Sequence, residues 1–292
     1  MTPAAAEEAA ERRVLGWWGR PGGDWVAQGR QFWGLYAREL LKTFRNPWVI
    51  VITLVQPFMW LAFFGASFEN VPLAELKQLL CGLSNPGCQA AVTSYVQFLL
   101  PGVLATSMLS IGMFGAMSTI QDKRFGFMKR ILLTPTSRAT VYLAKALGAA
   151  TRGLVQIPVM IAAAYAFGVT ISAPAWMWGG WIAGLALLGI GFSALFLAIT
   201  ASSTDWQTPG VIANFITMPL MFASGALFPT ANYPSWMQTI AEGNPVTYAA
   251  LLGRDVVVYH TFSAVDLGYL ALFAAAILLI GTIVASRYLK AE

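Results

Sequence analysis

Residues 121–138, QDKRFGFMKRILLTPTSR, gather five basic side chains and one acid between two of the most apolar runs of the chain. Charge placed there must be solvated, paired or offered to a partner, because burying it alone is costly. The spacing predicts a helix over 121–133. Its wheel puts Phe125, Phe127, Met128, Ile131 and Leu132 on one side and Asp122, Lys123, Lys129 and Arg130 on the other, with Arg124 out of register. Pro135 should end that helix, and Thr136 or Ser137 can cap the next. A short helix with an apolar face beside mixed charge suits resting on a membrane or docking into a protein groove. Either is binding chemistry, and no covalent chemistry is implied.

Covalent and ion-coupled chemistries find little support elsewhere. No G-x-x-x-x-G-K-[ST] run is present, so nucleotide phosphates have no P-loop to sit in. The single histidine, His260, rules out an H-E-x-x-H zinc site, and no metal is expected. Ser193 in GFSA has only His260 as a conceivable base, in a distant loop, so a hydrolase is not expected. Ion-driven transport needs ionisable groups in mid-bilayer. Asp205 and Asp266 fall at the ends of apolar runs instead.

The elements that must position the charged stretch are membrane spans. Of the 292 residues, 57% are hydrophobic and 11% are charged, less than half the charge of an ordinary soluble domain. Six runs are long and apolar enough to cross a bilayer as helices, at 48–68, 95–120, 153–171, 176–201, 209–228 and 267–286. The third is expected to begin earlier, near Ala139, as a helix extending below the membrane with Lys145 and Arg152 at headgroup depth. The fold class is therefore all-α, with six transmembrane helices. Sixteen of the eighteen Lys and Arg residues fall before the first span, around 121–152 or in the tail, and only Lys77 and Arg254 fall on the other side. This asymmetry places both termini and the charged stretch in the cytoplasm, in a multi-pass protein of the cell membrane. The basic excess belongs to the membrane surface, and no nucleic-acid partner is expected. Residues 1–29 lack an apolar signal core, so the first span is expected to direct insertion.

Residues 30–47 form a second charged element. Phe32, Trp33, Tyr36, Leu40 and Phe44 share one arc of a helix, and Arg30, Arg38, Lys42 and Arg45 share the opposite one. That pattern predicts an amphipathic helix among the lipid headgroups, turned into the bilayer at Pro47. On the outer side, about 229–265 is too long for a hairpin and too polar to span. It breaks into apolar pieces at 233–240 and 246–259, which either dip into the outer leaflet under a protein cover or lie flat on the surface. Cys81 and Cys88, the only cysteines, flank a turn on the outer side, and a disulfide between them is expected. Arg254 and Asp255 are an adjacent charged pair in an otherwise apolar piece and are read as an outer gate. Met108, Phe114, Met117, Phe215, Met218, Met221 and Phe222 either line a greasy, adaptable substrate path or, for most of them, face lipid and neighbouring helices. The small pairs Gly180 with Gly184 and Gly112 with Ala116 permit close helix approach, more often within one subunit than between subunits.

The order and spacing of two segments carry a resemblance. IQDKRFGFMKRILLTPTSRATVYLAKAL is similar to the pattern of an acid and a basic residue, a Gly, a basic pair, Leu-x-x-Pro-x-Ser-Arg and a following Lys in the ABC-type drug and polysaccharide exporter permeases. FASGALFPTANYPSWMQTIAEGNPVTYAALLGRDVVV resembles the same family's Phe-Pro, Asn-Pro and Arg-Asp segment, and the likeness extends over nearly the whole chain. It implies a six-span, type 2 membrane subunit, with residues 48–292 as the permease domain and 30–47 as the connecting helix. It also implies that about 121–134 is the coupling helix, through which Asp122, Lys123, Arg124, Phe125, Gly126, Phe127, Met128, Lys129 and Arg130 meet a separate ATPase. Phe127 is expected to be the aromatic anchor, with Lys129 and Arg130 setting orientation. The outer pieces would be a re-entrant pair. The partners implied are two ABC ATPase copies, which bind ATP and Mg, a second permease copy in a homodimer, and membrane lipids. This chain would bind no cofactor. The substrate implied is an amphipathic or lipid-linked molecule such as a drug, glycolipid or polysaccharide, moved outward. The alternative is a membrane scaffold or assembly factor for lipid-linked polymers.

Overall fold

A computed structural model describes residues 25–68, 71–81, 92–132, 136–169, 173–202 and 208–288. Among them there is no strand. The helices are α1 (Trp25–Phe44), α2 (Pro47–Ser67), α3 (Leu73–Cys81), α4 (Tyr95–Arg124), α5 (Phe127–Leu132), α6 (Arg138–Leu154), α7 (Gln156–Ala166), α8 (Ala175–Ser202), α9 (Thr208–Ala223), α10 (Ser235–Glu242), α11 (Pro245–Arg254) and α12 (Ala264–Tyr288). A 3-10 turn at Thr230–Asn232 precedes α10, and a π turn at Asp255–Tyr259 follows α11.

Local chemistry sets most of the boundaries. Pro47 sits in the first turn of α2, where its missing N–H costs nothing. The Ser94 hydroxyl accepts from the Gln97 N–H to start α4, and Ser137 does the same for Thr140 at the start of α6. The third span is interrupted at Val155. α6 stops at Leu154 because Pro158 has no N–H to return to the Leu154 carbonyl, and α7 resumes after Val155. The run expected at 153–171 is thus the upper part of a jointed helix that starts at Arg138.

Five helical units are long and apolar enough to cross a membrane: α2, α4, α6 with α7, α8, and α12. The fifth expected span is shorter than its apolar run. α9 ends at Ala223, where the sequence pattern continued to Phe228, because the chain turns through Gly225 at φ +66°. Its 16 residues cover about 24 Å at the helical rise of about 1.5 Å per residue, less than a bilayer core.

α4 and α8 form the centre of the bundle. In α4, 83% of the apolar window is buried, against 17% in α2 and in α12, which lie at the periphery. Apolar burial alone does not select partners in a bilayer, where lipid is equally apolar, so close packing must. Small residues supply it. A Cβ on Gly112 would come within 2.9 Å of the backbone at Phe192 and Ser193, so α4 and α8 touch through main chain there. Gly184 faces Leu252, Leu270 and Leu267, and Gly180 faces the Phe262 ring. The small-residue pairs pack helices of this same chain.

Candidate functional site

At the end of the bundle that carries Arg124 and Arg130, α4 runs past the apolar core and stops where Gly126 takes φ +70°. That backbone conformation strongly favours glycine, and it separates α4 from the six-residue α5. The single helix expected over 121–133 is therefore two helices meeting at a corner, and its residues divide differently. Phe125, at the corner, is 80% exposed. Phe127 instead turns inward onto Leu35, Ile131 and Val141, with the Arg38 guanidinium 3.6 Å above its ring. The expected anchor Phe127 is half-buried, and Phe125 is the more exposed of the two rings. Arg124 and Arg130 are exposed beside the corner. The side chains of Met128 and Lys129, and Pro135, lie outside the described residues.

Asp122 and Lys123 do not belong to that exposed surface. Asp122 is 5% exposed and accepts from Arg38 at 3.3 Å, from Lys42 at 3.3 Å and from Lys145. Glu39, also 5% exposed, accepts from Arg38 at 3.1 Å and from Lys145 at 3.2 Å. Two buried carboxylates are thus braced by three cations from α1 and α6, an arrangement in which losing one member is far costlier than the pair is worth. Lys123 reaches across to α8 and donates to the Thr200 and Ala201 carbonyls at 2.7 and 3.1 Å, capping that helix's last turn.

The connecting helix is correspondingly less peripheral than its pattern implied. α1 lies along α6, with the Tyr36 hydroxyl 3.0 Å from Thr151 Oγ1 and Arg38 and Lys42 directed at Asp122. Phe32 and Leu40 are half-buried, while Trp33, Leu41 and Phe44 are exposed on the other side. Sequence reasoning missed Glu39, and the available signal was its being the one acid in the otherwise basic 30–45 segment.

At the opposite end, the truncated α9 leaves carbonyls that need donors. Each finds one. Asn244 Nδ2 donates to Leu220 O at 2.7 Å, Ser224 Oγ to Met221 O at 2.7 Å, and the Tyr233 hydroxyl to Phe222 O at 3.0 Å. Arg254, 5% exposed, donates to Gly225 O at 2.8 Å, Ala226 O at 2.9 Å and Phe98 O at 3.3 Å, with its guanidinium 3.7 Å over the Phe98 ring. It is a staple joining α4, α11 and the turn after α9. Of the Arg254 and Asp255 pair read as an outer gate, Arg254 spends its donors on backbone carbonyls. Burial, followed by the nearby charge of Asp266, pushes the Asp255 carboxyl up to about 6. α11 packs against α4, α8 and α12, so its backbone is covered by protein, as a segment entering a bilayer requires. Cys81 ends α3, and its expected partner Cys88 lies outside the described residues.

Residues 30–257, which include the Asp122–Glu39 cluster, the Phe125–Gly126 corner and Arg254, match the ABC-2 type transporter family. The chain belongs to that family. It is also similar to proteins named "Putative transport permease ycf38": that of Pyropia yezoensis is 26% identical over 217 residues, 74% of this chain and 69% of the relative. The Porphyra purpurea protein of the same name is 25% identical over the same shares, and that of Cyanophora paradoxa 27% identical over 42% of this chain and 38% of its own.

Within this ABC-2 permease, the seven side chains read as a substrate path separate into three places. Met108 is fully buried, with its sulfur against Gly153, and is a packing residue. Phe114 and Met117 line a cavity at the basic end, and Met117 also packs on Gly210 of α9. Phe215, Met218 and Phe222 are exposed along one stripe of α9, with Met221 half-buried beside it. One chain alone does not assemble them into one passage. The permease also has no cluster of metal-ligating side chains among the described residues.

Proposed function

We propose that this ABC-2 permease is the membrane subunit of an ATP-driven exporter for an amphipathic or lipid-linked substrate, a drug, glycolipid or polysaccharide leaving the cytoplasm or inner leaflet. The observation that carries the proposal is the exposed Phe125–Gly126 corner mounted on the buried Asp122–Glu39 cluster. An aromatic held out beside Arg124 and Arg130 fits a groove in a partner. Movement of that corner would be passed to α1, α4 and α6 together, because the cluster ties all three.

The family supports the partner, since ABC-2 permeases generally work with an ABC ATPase. In this proposal two ATPase copies bind ATP and Mg, and this chain performs no hydrolysis. A second permease copy meets the apolar stripe Val211, Phe215, Met218 and Phe222 of α9, which no other part of this chain covers among the described residues. α9 with the turn that follows completes a sixth crossing, and α10 and α11 form the re-entrant pair. The basic end and both termini face the cytoplasm of a cell-membrane protein, as the distribution of Lys and Arg favours.

Co-expression with the cell's ABC ATPases and purification through the permease tests this reading. A co-purifying ATPase whose hydrolysis rises with amphiphiles is the expected result. A permease recovered without any ATPase, in a lipid environment that preserves its fold, would contradict it.

A further inference from the structure

A cavity of about 290 Å³ lies between the last turn of α1, the first turns of α2, the last third of α4 and the last turn of α6. Its polar side is made by Lys42, Asn46, Ser118 and Arg152, and its apolar side by Ile52, Phe114 and Met117. Arg152 is the unusual member. It is 9% exposed, and its Nε is buried with no hydrogen-bond partner among the described residues. The Glu39 carboxylate acts on it through space but is already bonded to Arg38 and Lys145. Asp122 is likewise taken by Arg38, Lys42 and Lys145. Four cations thus surround two carboxylates, and one of the four keeps a buried donor unused. A guanidinium in that state has an unmet demand for an anionic acceptor.

The rest of the cavity narrows what that anion is. Arginine's fork matches phosphate oxygens, and the Asn46 amide can add a donor. The apolar side continues along α2 through the exposed Ile52 and Val55, in a helix long and apolar enough to cross a membrane. The volume lies at the small end for ligand pockets, enough for a headgroup and its first methylenes but not for a whole lipid or drug. We infer that this cavity binds the phosphate of an amphiphile, with the hydrocarbon chain leaving past Ile52, Phe114 and Met117. The inference rests on the export reading in one respect: it makes a phosphate-bearing lipid the cargo. The same chemistry is carried by a resident phospholipid and by free phosphate, which the test separates.

Full-length permease in a neutral maltoside detergent, without ATPase, is titrated with dioctanoyl phosphatidic acid and read by native mass spectrometry. Binding is expected to exceed that of dioctanoylglycerol by at least about tenfold, as losing a charged hydrogen bond implies. Arg152→Gln should weaken it by a similar factor, and Arg152→Lys should restore most of it. Asn46→Asp, at an exposed position, carries the test if the Arg152 variants fail to fold, because a negative charge at the mouth should also weaken binding. Equal affinity for dioctanoylglycerol, or wild-type affinity in Asn46→Asp and in a folded Arg152→Gln, overturns the site. Displacement of the lipid by inorganic phosphate at equal concentration overturns the assignment to an amphiphile. In the assembled complex, phosphatidic acid should stimulate ATP hydrolysis, and Asn46→Asp should lose that stimulation. Binding without stimulation overturns its role as cargo. Because the titration uses no ATPase, failure of the site leaves the export proposal standing, and failure to recover an ATPase leaves the lipid titration unaffected.

Discussion

Arg254→Ala offers a measure of how the outer end is held. The side chain makes two short charged hydrogen bonds, to Gly225 and Ala226, a longer one to Phe98, and a stacking contact on the Phe98 ring. Charged hydrogen bonds contribute about 1.5–3 kcal/mol each, and a desolvated cation over a ring about 2 kcal/mol, so the gross loss is roughly 5–8 kcal/mol. Part is recovered, because burying the guanidinium costs several kcal/mol that the alanine no longer bears. The net destabilisation should be about 3 kcal/mol, within the range for breaking a buried charged contact. Equilibrium unfolding by SDS in mixed micelles, followed by tryptophan fluorescence, measures it. Amide exchange should also accelerate in residues 223–228, where the turn loses its clamp. Arg254→Lys should fall between the two, since an ammonium has donors but not the fork that spans Gly225 and Ala226. A loss below about 1 kcal/mol in Arg254→Ala would mean the carbonyls find other donors, and the staple would be refuted.

Three further outcomes follow from the same geometry. Asp122→Ala should destabilise by about 3–5 kcal/mol by leaving Lys145 half-paired in a buried site, and adding Lys145→Met should recover most of that, which SDS unfolding of both variants checks. Gly102→Ala should severely reduce folded yield, because its Cβ would fall 1.9 Å from the Ala226 carbonyl oxygen, whereas Gly179→Ala meets nothing and should be neutral or stabilising by up to about 1 kcal/mol. Asp255 has its carboxyl raised to about 6 from an unfolded value near 3.8, so its ionised form costs stability above pH 6. Asp255→Asn should therefore be more stable than wild type at pH 7.5, with the difference shrinking as pH falls through 6 and gone near pH 4. A difference that does not change across that range would contradict the origin of the shift.

The spans were legible wherever apolar runs and helices coincide, as in α4, α8 and α12, because a bilayer demands length and apolarity and little else. They parted where backbone geometry intervened. The 209–228 run is apolar throughout, and hydropathy cannot distinguish a helix from the turn that Gly225 allows at its end. Gly126 had the same effect in reverse: its neighbours satisfied one amphipathic wheel, so the corner that exposes Phe125 and turns Phe127 partly inward left no trace in the periodicity. The cluster around Asp122 was illegible for a different reason. Its partner Arg38 is 84 residues away, and only the packing of α1 along α6 brings Arg38, Lys42 and Lys145 to one carboxylate. Ser137 as a cap, by contrast, follows from its own neighbourhood and was readable.

The most direct test of the central claim is the affinity of the solubilised permease for its ATPase, compared between Phe125→Ala and Phe127→Ala. If the corner seats in the partner, Phe125→Ala should lower that affinity by about thirtyfold, the loss of a hot spot of roughly 2 kcal/mol. Phe127→Ala, whose ring lies under Arg38, should change the affinity less while lowering the permease's own stability. Wild-type affinity in a folded Phe125→Ala protein would contradict the assignment of this corner as the point where the energy of ATP enters the chain.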